Sequence, residues 1–446
     1  MGKLFGTDGI RGIANEYPMT PEMALKIGRA VANFVKGEKI VIGKDTRISG
    51  DMIESAIVSG ICSAGANPYL SGVLPTPGVA YLTRSLHAAA GIVISASHNP
   101  FFDNGIKLFQ AKGFKLSDDE EAEIERLVLA EKTSSTRSPG PETGKIYTLN
   151  DACNRYTNFL KSTMPKNYSL KGMKIVLDCS NGATYVVAPD LFSDLGAEVE
   201  AISIGPDGKN INEKCGSQHP ATLIKKVVQT GADIGLAFDG DGDRLIAVDE
   251  KGAAVSGDQI LAICAKIIKQ NGKLTNNCAV STVMSNFGLG LAFKEMGINH
   301  IITDVGDRYV VNQMLAHGAM IGGEDSGHMI FLENHTTGDG LLTALKLIEA
   351  MQVEKRSLSE LKNIMTVYPQ VLINVKVKNK PDIKNIPEIQ EAIQSVENKL
   401  KGQGRVLVRY SGTQLKCRVM VEGPSKRETK QHCQQIADIV KEKIGE

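Results

Sequence analysis

The sequence lacks a dominant charge, a long apolar run and a regular cysteine pattern. Its 51 basic and 50 acidic residues leave a formal net charge of +1, so no net field attracts nucleic acid or an acidic membrane surface. No apolar run is long enough to cross a bilayer. The eight cysteines are scattered and include no C-x-x-C pair, a spacing that gives neither a zinc site nor a disulfide framework and suits a reducing cytoplasm. We therefore expect no nucleic acid and no membrane as partners, and any bound anion must be held by a local arrangement of residues.

Composition and length fit a globular chain of several domains. Hydrophobic residues make up 42% of the 446 residues and charged residues 23%, as is usual for globular proteins, and the length suggests about three domains. The opening stretch MGKLFGTDGIRG has neither the apolar core of a signal peptide nor the serine or threonine at the sixth position that myristoylation requires. We therefore expect no targeting segment and a cytoplasmic location.

Segments with strand and helix patterns alternate through most of the chain. Capping residues Ser117 and Glu120 predict the start of one helix. Alternation of this kind predicts parallel, doubly wound sheets, in which ligands bind beyond the carboxyl ends of the strands. Apolar strand-like runs occur at 39–43, 91–95, 234–238, 245–250 and 279–286, and another opens the stretch 174–183, which continues into a turn and a helix.

The pattern divides the chain into four predicted domains. Three α/β domains cover 1–149, 150–252 and 253–367, and their similar strand–turn passages suggest a diverged internal repeat. A Ser-, Thr-, Pro- and Gly-rich stretch at 132–144 is predicted to be a connecting segment. The remaining part, 368–446, has strand and helix patterns typical of a small α+β domain. The predicted fold class is α/β, with mixed or parallel sheets in three domains and a smaller C-terminal α+β domain.

Three aspartates alternate with glycines in the stretch DGDGDR, at Asp239, Asp241 and Asp243. Strand-like runs flank the stretch, so it is predicted to be a tight loop between two strands. Glycine permits the sharp backbone that lets alternating carboxylates converge on one cation. Oxygen ligands of this kind favour a hard cation, with Mg²⁺ the leading candidate.

Two other interpretations of this stretch remain at this point. The spacing resembles a calcium EF-hand loop, although Arg244 occupies the sixth position, where glycine is needed, and the flanks have strand rather than helix patterns. The stretch could also be a solvated acidic turn, although three adjacent carboxylates repel one another without a cation.

Three further stretches carry polar residues suited to a binding or catalytic site. ISASHNP (94–100) follows a predicted strand and offers the hydroxyl of Ser97, which could be a nucleophile or phosphate carrier or could simply shape its loop. GGEDSGH (322–328) places donors and acceptors between glycines, a composition typical of a loop that binds a polyol. RYSGT (409–413), followed by Arg418, offers backbone amides and two guanidinium groups as a phosphate cradle.

Taken together, the motifs resemble those of a known family. FGTDGIRG (5–12), KDTRISG (44–50), ISASHNP, DGDGDR, GEDSGH and RYSGT are similar, in this order, to the motif set of the α-D-phosphohexomutase superfamily. FGTDGIRG, VGDRYV (305–310) and TTGDG (336–340) look most like its branch that acts on glucosamine phosphates. The resemblance implies four domains around a central cleft and an isomerase, an intramolecular phosphotransferase. The implied reaction interconverts glucosamine 6-phosphate and glucosamine 1-phosphate and feeds amino-sugar nucleotide and cell-wall synthesis.

The resemblance also implies the cofactors. Ser97 would carry a covalent phosphate, pass it to the sugar to give a hexosamine 1,6-bisphosphate, and receive the other phosphate after that intermediate turns round in the cleft. One Mg²⁺ would be held by Ser97, through a phosphoserine oxygen, and by Asp239, Asp241 and Asp243. A phosphoserine and three carboxylates total about −5 charges against the +2 of the metal. The matching basic residues are Arg11, Lys107 and Arg244.

Further site residues follow from positions that match the family's motifs. The expected proton-transfer groups are Lys107 and His328, with the acid and base roles left open, and Lys107 would need a lowered pKa to act as a base. The expected substrate-binding residues are Glu324, Ser326, Gly306, Asp307, Arg409, Ser411, Gly412, Thr413 and Arg418. The expected partner is a small hexosamine phosphate. The superfamily includes dimers, so a homodimer is one expected assembly, although the sequence carries no interface signal.

Two positions depart from the family's pattern, and two other functions remain open. Gln414 and Leu415 stand where Glu-Pro is usual, which removes a carboxylate and a rigid proline from the phosphate loop. Asp325 stands where the glucosamine branch commonly has Gln, and it could favour the ammonium form of an amino sugar or simply face solvent. The other functions are a phosphoglucomutase or phosphomannomutase of the same fold, and a non-catalytic protein that binds Mg²⁺ and sugar phosphate.

Overall fold

A computed structural model describes residues 4–6, 8–36, 38–130, 138–411 and 415–446. The chain divides into two units. One contains the chain up to Met284 with Ile298–Asn363, and the other contains Ser285–Gly297 with Ile364–Glu446. Three mixed sheets belong to the first unit and a three-stranded antiparallel sheet belongs to the second. This arrangement confirms the predicted fold class.

The first sheet is built from β1 (Ile10–Ile13), β2 (Lys39–Lys44), β3 (Asn67–Val73), β4 (Ala90–Ile94), β5 (Asp103–Gln110) and β6 (Tyr147–Thr148). The order across the sheet is β1-β5-β4-β2-β3-β6. β2 pairs in parallel with β3 and β4, whereas β5 pairs antiparallel with β1 and β4. β2 and β4 are nearly continuous buried aliphatic runs, as expected for central parallel strands that helices cover on both faces. The accompanying helices are α1 (Pro21–Val35), α2 (Gly50–Ser63), α3 (Thr76–Ser85) and α4 (Asp118–Leu129).

Helix α4 begins where the sequence predicts. Oγ of Ser117 accepts the amide of Glu120, and the Glu120 carboxylate accepts the amide of Ser117. Two orphan amides at the start of the helix are thereby satisfied. The predicted connecting segment at 132–144 lies partly outside the described residues, and its described part contains a short 3-10 turn at Gly140–Glu142.

The second sheet contains β7 (Lys174–Asp178), β8 (Glu198–Ile202), β9 (Ile234–Phe238), β10 (Leu245–Asp249) and β11 (Ala254–Val255). Its order is β11-β10-β9-β7-β8. β7 is parallel to β8 and β9, and β10 is antiparallel to β9 and β11. β11 lies just beyond the predicted domain boundary at 252. The helices of this region are α5 (Ala152–Ser162), α6 (Val187–Asp194) and α7 (Ala221–Thr230).

The third sheet contains β12 (Cys278–Thr282), β13 (Asn299–Thr303), β14 (Ile321–Gly323) and β15 (Met329–Phe331), in the order β13-β12-β14-β15. β12 is parallel to β13 and β14, and β15 is antiparallel to β14. The helices along this part of the chain are α8 (Gly257–Gln270), α9 (Phe287–Glu295), α10 (Asp307–His317), α11 (Gly340–Glu354) and α12 (Leu358–Leu361). Of these, α9 belongs to the second unit.

The second unit pairs β16 (Gln370–Lys376), β17 (Arg405–Tyr410) and β18 (Lys416–Glu422) in the order β16-β18-β17. Buried Val419 and Val421 of β18 pack with α13 (Pro387–Leu400) and α14 (Lys426–Ile444) in one apolar cluster. Further 3-10 turns occur at Thr275–Asn277, Lys362–Ile364 and Ile383–Asn385. Within the ranges that the structure describes, no helix combines the length and apolar character needed to span a membrane.

The loops that carry the sequence motifs lie at strand ends. The ISASHNP turn follows β4, the DGDGDR loop joins β9 to β10, and the segment from Glu324 to His328 joins β14 to β15. All three strands have parallel neighbours in their sheets. The motifs therefore occupy the carboxyl ends at which mixed α/β sheets bind ligands.

Candidate active site

Ser97 lies in the turn after β4 and is 1% exposed. Its φ of +54° falls in the left-handed region that residues other than glycine seldom adopt. Its amide donates a 2.9 Å hydrogen bond to Oγ of Ser95. Its own Oγ donates to Oδ2 of Asp239 at 2.6 Å. The turn therefore directs the hydroxyl to the aspartate loop of the second sheet.

Arg47, to which sequence reasoning gave no role, holds this turn together. Nε of the buried Arg47 donates to Oδ2 of Asp45 at 2.8 Å. The same carboxylate oxygen accepts the hydroxyl of Ser95 at 2.6 Å. The rest of the guanidinium donates hydrogen bonds of 2.8–3.0 Å to the carbonyl oxygens of Ser97, Asn99 and Asp103. The only signal for Arg47 in the sequence was its place in the KDTRISG motif.

The three aspartates form a hairpin loop between the antiparallel strands β9 and β10. Because strands flank the loop, the EF-hand interpretation is wrong. Because Asp239, Asp241 and Asp243 are only 0%, 1% and 3% exposed, the interpretation as a solvated turn is wrong too. One oxygen from each carboxylate can be chosen so that all lie within 4.8 Å of one another.

Glycines let this loop fold tightly against the serine turn. A Cβ atom on Gly240 would lie 2.5 Å from the carbonyl oxygen of Ser97 and 2.8 Å from Nδ2 of Asn212. Gly242 has a φ of +71°, which costs glycine little. Asn212, also missed in the sequence, donates from Nδ2 to the carbonyl oxygens of Ser97 at 2.9 Å and Asn99 at 3.0 Å. Only a residue without a side chain therefore fits between the two loops.

The carboxylates retain oxygens suited to a cation. Oδ2 of Asp241 accepts from the Thr76 hydroxyl at 2.6 Å and from Nζ of Lys107 at 2.8 Å. Oδ1 of Asp241 and Oδ1 of Asp243 are buried and accept no hydrogen bond within the described residues. Burial and the two neighbouring carboxylates raise the pKa of Asp239 well above its ordinary value. A hard divalent cation would satisfy the oxygens and remove the repulsion, so the residues present fit the predicted metal.

Lys107 is a buried cation beside this loop. Its Nζ lies 3.3 Å from Oδ2 of Asp243 and 3.4 Å from Oδ2 of Asp8, in addition to its bond with Asp241. Burial alone would lower the pKa of Lys107, but these carboxylates raise it well above its ordinary value. A lysine that acts as a base needs a lowered pKa, and Lys107 has a raised one. In this arrangement the Lys107 ammonium therefore balances the charge of the carboxylates.

Lys107 belongs to a closed ring of alternating charges that connects all three sheets of the first unit. Nζ of Lys115 lies 2.5 Å from Oδ2 of Asp307 and also pairs with Asp8. The two ring nitrogens of His328 each lie 3.6 Å from a carboxylate oxygen, one of Asp243 and one of Asp307. In order, the ring consists of Lys107, Asp8, Lys115, Asp307, His328 and Asp243. Sequence reasoning missed Lys115, which lies in none of the quoted motifs.

The charges of this ring stabilise one another. Burial would raise the pKa of Asp307, but Lys115 and His328 lower it. Burial would lower the pKa of His328, but Asp243 and Asp307 raise it. The Asp307 side chain, predicted to bind substrate, is therefore directed to Lys115 and His328.

The predicted sugar loop is close to the Gly306 backbone. Oε1 of the half-buried Glu324 accepts the amide of Gly306 at 3.1 Å, so these two predicted substrate-binding residues meet. Ser326 is also half-buried, whereas Asp325 is exposed and accepts the amide of Asp258 at 3.3 Å. An exposed Asp325 agrees with the interpretation that this carboxylate faces solvent.

Arg11 and Arg244, the other predicted basic residues, lie beside the serine turn and the aspartate loop. Nε of Arg244 is 3.8 Å from Oδ1 of Asp243. Arg11 pairs with Asp8, and its Nη1 donates to the carbonyl oxygen of Ala96 at 3.4 Å. Positive charge is therefore available beside the serine turn and beside the aspartate loop.

The predicted phosphate cradle belongs to the second unit. Arg409 of β17 and Arg418 of β18 are directly opposite in the antiparallel ladder, so their side chains share one face of the sheet. The buried Ser411 donates its amide to the carbonyl oxygen of Lys416 at 2.9 Å. Gly412, Thr413 and the unusual Gln414 lie outside the described residues. The cradle stays a prediction.

Comparison with known proteins assigns the chain to a family. Models of the phosphoglucomutase/phosphomannomutase family match in succession: α/β/α domain I at residues 2–135, α/β/α domain II at 154–252, α/β/α domain III at 256–368 and the C-terminal domain at 372–439. The phosphoglucosamine mutase of Syntrophus aciditrophicus is 60% identical over 449 residues, which cover 100% of each chain. The chain belongs to the phosphoglucomutase/phosphomannomutase family.

Other members of this family agree with the assignment. The phosphoglucosamine mutase of Syntrophobacter fumaroxidans is 58% identical over 449 residues, again 100% of both chains. Among solved structures, a phosphoglucomutase/phosphomannomutase family protein from Burkholderia thailandensis superposes with a TM-score of 0.81 at 22% identity, covering 98% of this chain and 97% of that one. That structure supports the fold, and the full-length relatives support an isomerase that acts as a phosphohexomutase.

Proposed function

We propose that the protein interconverts glucosamine 6-phosphate and glucosamine 1-phosphate by passing a phosphoryl group through Ser97. The proposal depends chiefly on the 2.6 Å hydrogen bond from Oγ of Ser97 to Oδ2 of Asp239. This bond joins a buried hydroxyl to a buried set of carboxylates suited to a divalent cation. The glucosamine phosphates follow from the full-length relatives named phosphoglucosamine mutases. The product would supply amino-sugar nucleotide and cell-wall synthesis.

The proposed cofactors are one Mg²⁺ and a covalent phosphate on Ser97. The oxygens of Asp241 and Asp243 that accept no hydrogen bond within the described residues support a cation at the loop. The proposed ligands are the three loop carboxylates and an oxygen of the phosphoserine. Bound there, Mg²⁺ would neutralise charge on the phosphoryl oxygens during transfer.

The proposed reaction has two balanced halves. In the first, the bond between phosphorus and Oγ of Ser97 breaks and a bond forms between phosphorus and a sugar hydroxyl oxygen. The proton of that sugar hydroxyl passes to a basic group, and Oγ of Ser97 takes up a proton to become a hydroxyl. The product of this half is hexosamine 1,6-bisphosphate. After this intermediate turns round, Oγ of Ser97 loses its proton to a basic group and forms a bond to the other phosphorus. The bond from that phosphorus to the sugar oxygen breaks, and the sugar oxygen takes up a proton. The phosphoserine is regenerated, so no net co-reactant is consumed.

The proposed roles of the remaining residues follow their chemistry. Lys107 and His328 are the proposed proton-transfer groups at the sugar hydroxyls. Because the neighbouring carboxylates raise the pKa of Lys107, Lys107 would act from its ammonium form as a proton donor and not as the base. Arg11, Lys107 and Arg244 balance the charge of the phosphoserine and the carboxylates. The residues proposed to bind the substrate's sugar and non-transferring phosphate are Gly306, Asp307, Glu324, Ser326, Arg409, Ser411, Gly412, Thr413 and Arg418.

We also propose a cytoplasmic location, because the eight cysteines are all free thiols and stay reduced in that compartment. The partner in this proposal is a small hexosamine phosphate. A homodimer remains a prediction.

A substrate panel tests the sugar. The phosphorylated protein with Mg²⁺ is assayed with the 6-phosphates of glucosamine, glucose and mannose, and kcat/KM is expected to be highest for glucosamine 6-phosphate. A clearly higher kcat/KM for glucose or mannose phosphate would instead identify a phosphoglucomutase or phosphomannomutase.

Intact-mass analysis tests the phosphoserine. The dephosphorylated protein is expected to gain one phosphate from a hexose 1,6-bisphosphate, and Ser97→Ala is expected to gain none. Failure of the unmodified protein to gain a phosphate, together with no turnover in the panel, would identify a non-catalytic binding protein.

A further inference from the structure

The loop of residues 335–340, sequence HTTGDG, is fixed to neighbouring parts of the first unit. The loop joins β15 to α11. Nε2 of His335 lies 2.9 Å from the carbonyl oxygen of Pro77, in α3. The hydroxyl of Thr336 donates to the carbonyl oxygen of Gly113 at 2.5 Å. The amide of Gly340 donates to the carbonyl oxygen of Gly242, in the aspartate loop, at 3.0 Å.

Asp339 holds the middle of this loop. Its amide donates to the carbonyl oxygen of Met329 at 3.2 Å. Its Oδ1 accepts the amide of Leu342 at 2.9 Å and caps α11, and its Oδ2 accepts the hydroxyl of the buried Tyr156 at 2.8 Å. The backbone on both sides of residue 338 is therefore fixed by several hydrogen bonds, and it has little freedom to move.

Gly338 lies directly against the His328 imidazole. A Cβ atom on Gly338 would be 2.3 Å from Nε2, 2.4 Å from Cε1 and 2.5 Å from Cδ2 of that ring, closer than packed atoms approach. The three distances are nearly equal, so the ring presents its face to the glycine. The φ of Gly338 is outside the left-handed region. Space for the imidazole, and not backbone conformation, therefore requires glycine here.

Two carboxylates also approach the imidazole, one at each ring nitrogen. One nitrogen faces Oδ2 of Asp243 and the other faces Oδ2 of Asp307, both at 3.6 Å. These distances exceed those of good hydrogen bonds, so the two carboxylates leave the tilt of the ring loosely defined. The rigid surface at Gly338 supplies the missing constraint.

We propose that Gly338 is a positioning residue, which sets the plane of the His328 imidazole for proton transfer. This inference depends on the proposed function, in which His328 moves a proton to or from the sugar. A methyl group at position 338 would push the ring off its plane, because the backbone of the loop cannot withdraw. Misplacing a reacting group by about 1 Å lowers the rate by up to about 100-fold.

The test is a double-mutant cycle of Gly338→Ala and His328→Ala in the full-length phosphorylated protein with Mg²⁺. We expect Gly338→Ala alone to lower kcat by about 10- to 100-fold, with KM for glucosamine 6-phosphate nearly unchanged. In the His328→Ala background the methyl group has room, so Gly338→Ala should lower neither Tm nor the slow single-turnover transfer of phosphate from Ser97. Gly140→Ala is the matched control, because a Cβ there meets no atom within 4 Å. This variant should leave Tm and the single-turnover transfer of phosphate from Ser97 unchanged.

A readout independent of activity completes the test. The ¹⁵N and ¹³C NMR signals of the His328 ring should shift in Gly338→Ala and stay in place in Gly140→Ala. If Gly338→Ala does not fold but the double variant does, the clash with the imidazole is established. An equal loss of Tm or rate in both backgrounds, or unshifted ring signals, would overturn the inference. Absence of turnover in the unmodified protein would instead refute the proposed function, whereas the Tm and NMR comparisons would still test the geometry.

Discussion

Oγ of Ser97 and Oδ2 of Asp239 are joined by a 2.6 Å hydrogen bond, although the two residues are 142 positions apart in the chain. Ser97 follows β4 of the first sheet and Asp239 follows β9 of the second. The approach depends on the absence of a side chain at Gly240, where a Cβ would collide with the carbonyl oxygen of Ser97. In the proposed reaction, this bond marks the place where the phosphoryl group would meet the cation.

Replacing Ser97 by alanine should abolish mutase turnover and leave the fold intact. The variant loses the only atom to which the phosphate is proposed to attach, while the surrounding turn keeps its hydrogen bonds to Arg47 and Asn212. Activity with glucosamine 6-phosphate and the far-UV circular dichroism spectrum check the two expectations. Ser59→Ala, at an exposed site of α2, is the control. Full activity of Ser97→Ala would rule out the phosphoserine role.

Replacing Asp241 by asparagine should weaken activation by Mg²⁺ at least about tenfold, because a charged ligand becomes neutral. The amide oxygen can still accept from Thr76, so the loop should keep its shape. Activity is measured against Mg²⁺ concentration, with Asp119→Asn, at an exposed site of α4, as the control. In the unmodified protein a chelator should remove activity and added Mg²⁺ should restore it. Full activity in the chelator would refute the metal site.

Replacing Arg47 by lysine should lower both stability and kcat. A lysine has too few donors to serve the carbonyl oxygens of Ser97, Asn99 and Asp103 together with the carboxylate of Asp45, and each buried acceptor left without a donor costs about 1–3 kcal/mol. Urea unfolding and steady-state kinetics measure the two effects. Arg126→Lys, in an exposed pair on α4, should change neither quantity. Equal stability of Arg47→Lys and the unmodified protein would contradict the role assigned to the guanidinium.

Replacing Lys115 by methionine should destabilise the protein by about 3–5 kcal/mol, because Asp8 and Asp307 would then share a buried site without this cation. Lys115→Arg should recover most of the stability, since it restores the charge. The free energy of unfolding in urea gives the comparison, with Lys112→Met, an exposed lysine of the same turn, as the matched control. If both methionine variants behave alike, the ring of charges does not stabilise the protein.

Replacing Asp339 by asparagine should change how stability depends on pH. Burial raises the pKa of Asp339 to about 7, whereas an unfolded aspartate has a pKa of about 3.9. Between these values the folded state holds a proton that the unfolded state has lost, so this residue makes the free energy of unfolding fall as pH rises from about 4 to about 7. Asparagine does not titrate and can still accept the amide of Leu342.

As pH rises from about 4 to about 7, the free energy of unfolding of Asp339→Asn should therefore increase relative to that of the unmodified protein, by up to about 1.4 kcal/mol for each pH unit. Urea unfolding from pH 4.5 to 8 measures this difference, with Asp438→Asn, at an exposed site of α14, as the control. A difference for Asp339→Asn that is independent of pH would contradict the raised pKa.

Several features of the fold and site could be predicted because their signals are local. The capping box of Ser117 and Glu120 marks the start of α4. The glycines of DGDGDR permit the hairpin loop between two apolar strands. Capping and turn formation depend on neighbouring residues only, so sequence patterns suffice. The role of Arg47 could not be found in this way, because most of its partners are carbonyl oxygens, which every residue possesses.

The sequence by itself determined the apolar strands β2, β4, β7, β9, β10 and β12, the start of α4, the spacing of three carboxylates in one loop and the family resemblance. Only the tertiary structure decided that Lys115 closes a ring of charges through Asp307 and His328, and that Gly338 supports the imidazole. The ring joins residues carried by different sheets, and Gly338 and His328 lie on opposite sides of β15 in the chain. No periodicity or spacing encodes which of these segments meet after the chain packs. The packing of these segments therefore decides which buried charges meet and where the backbone must lack a side chain.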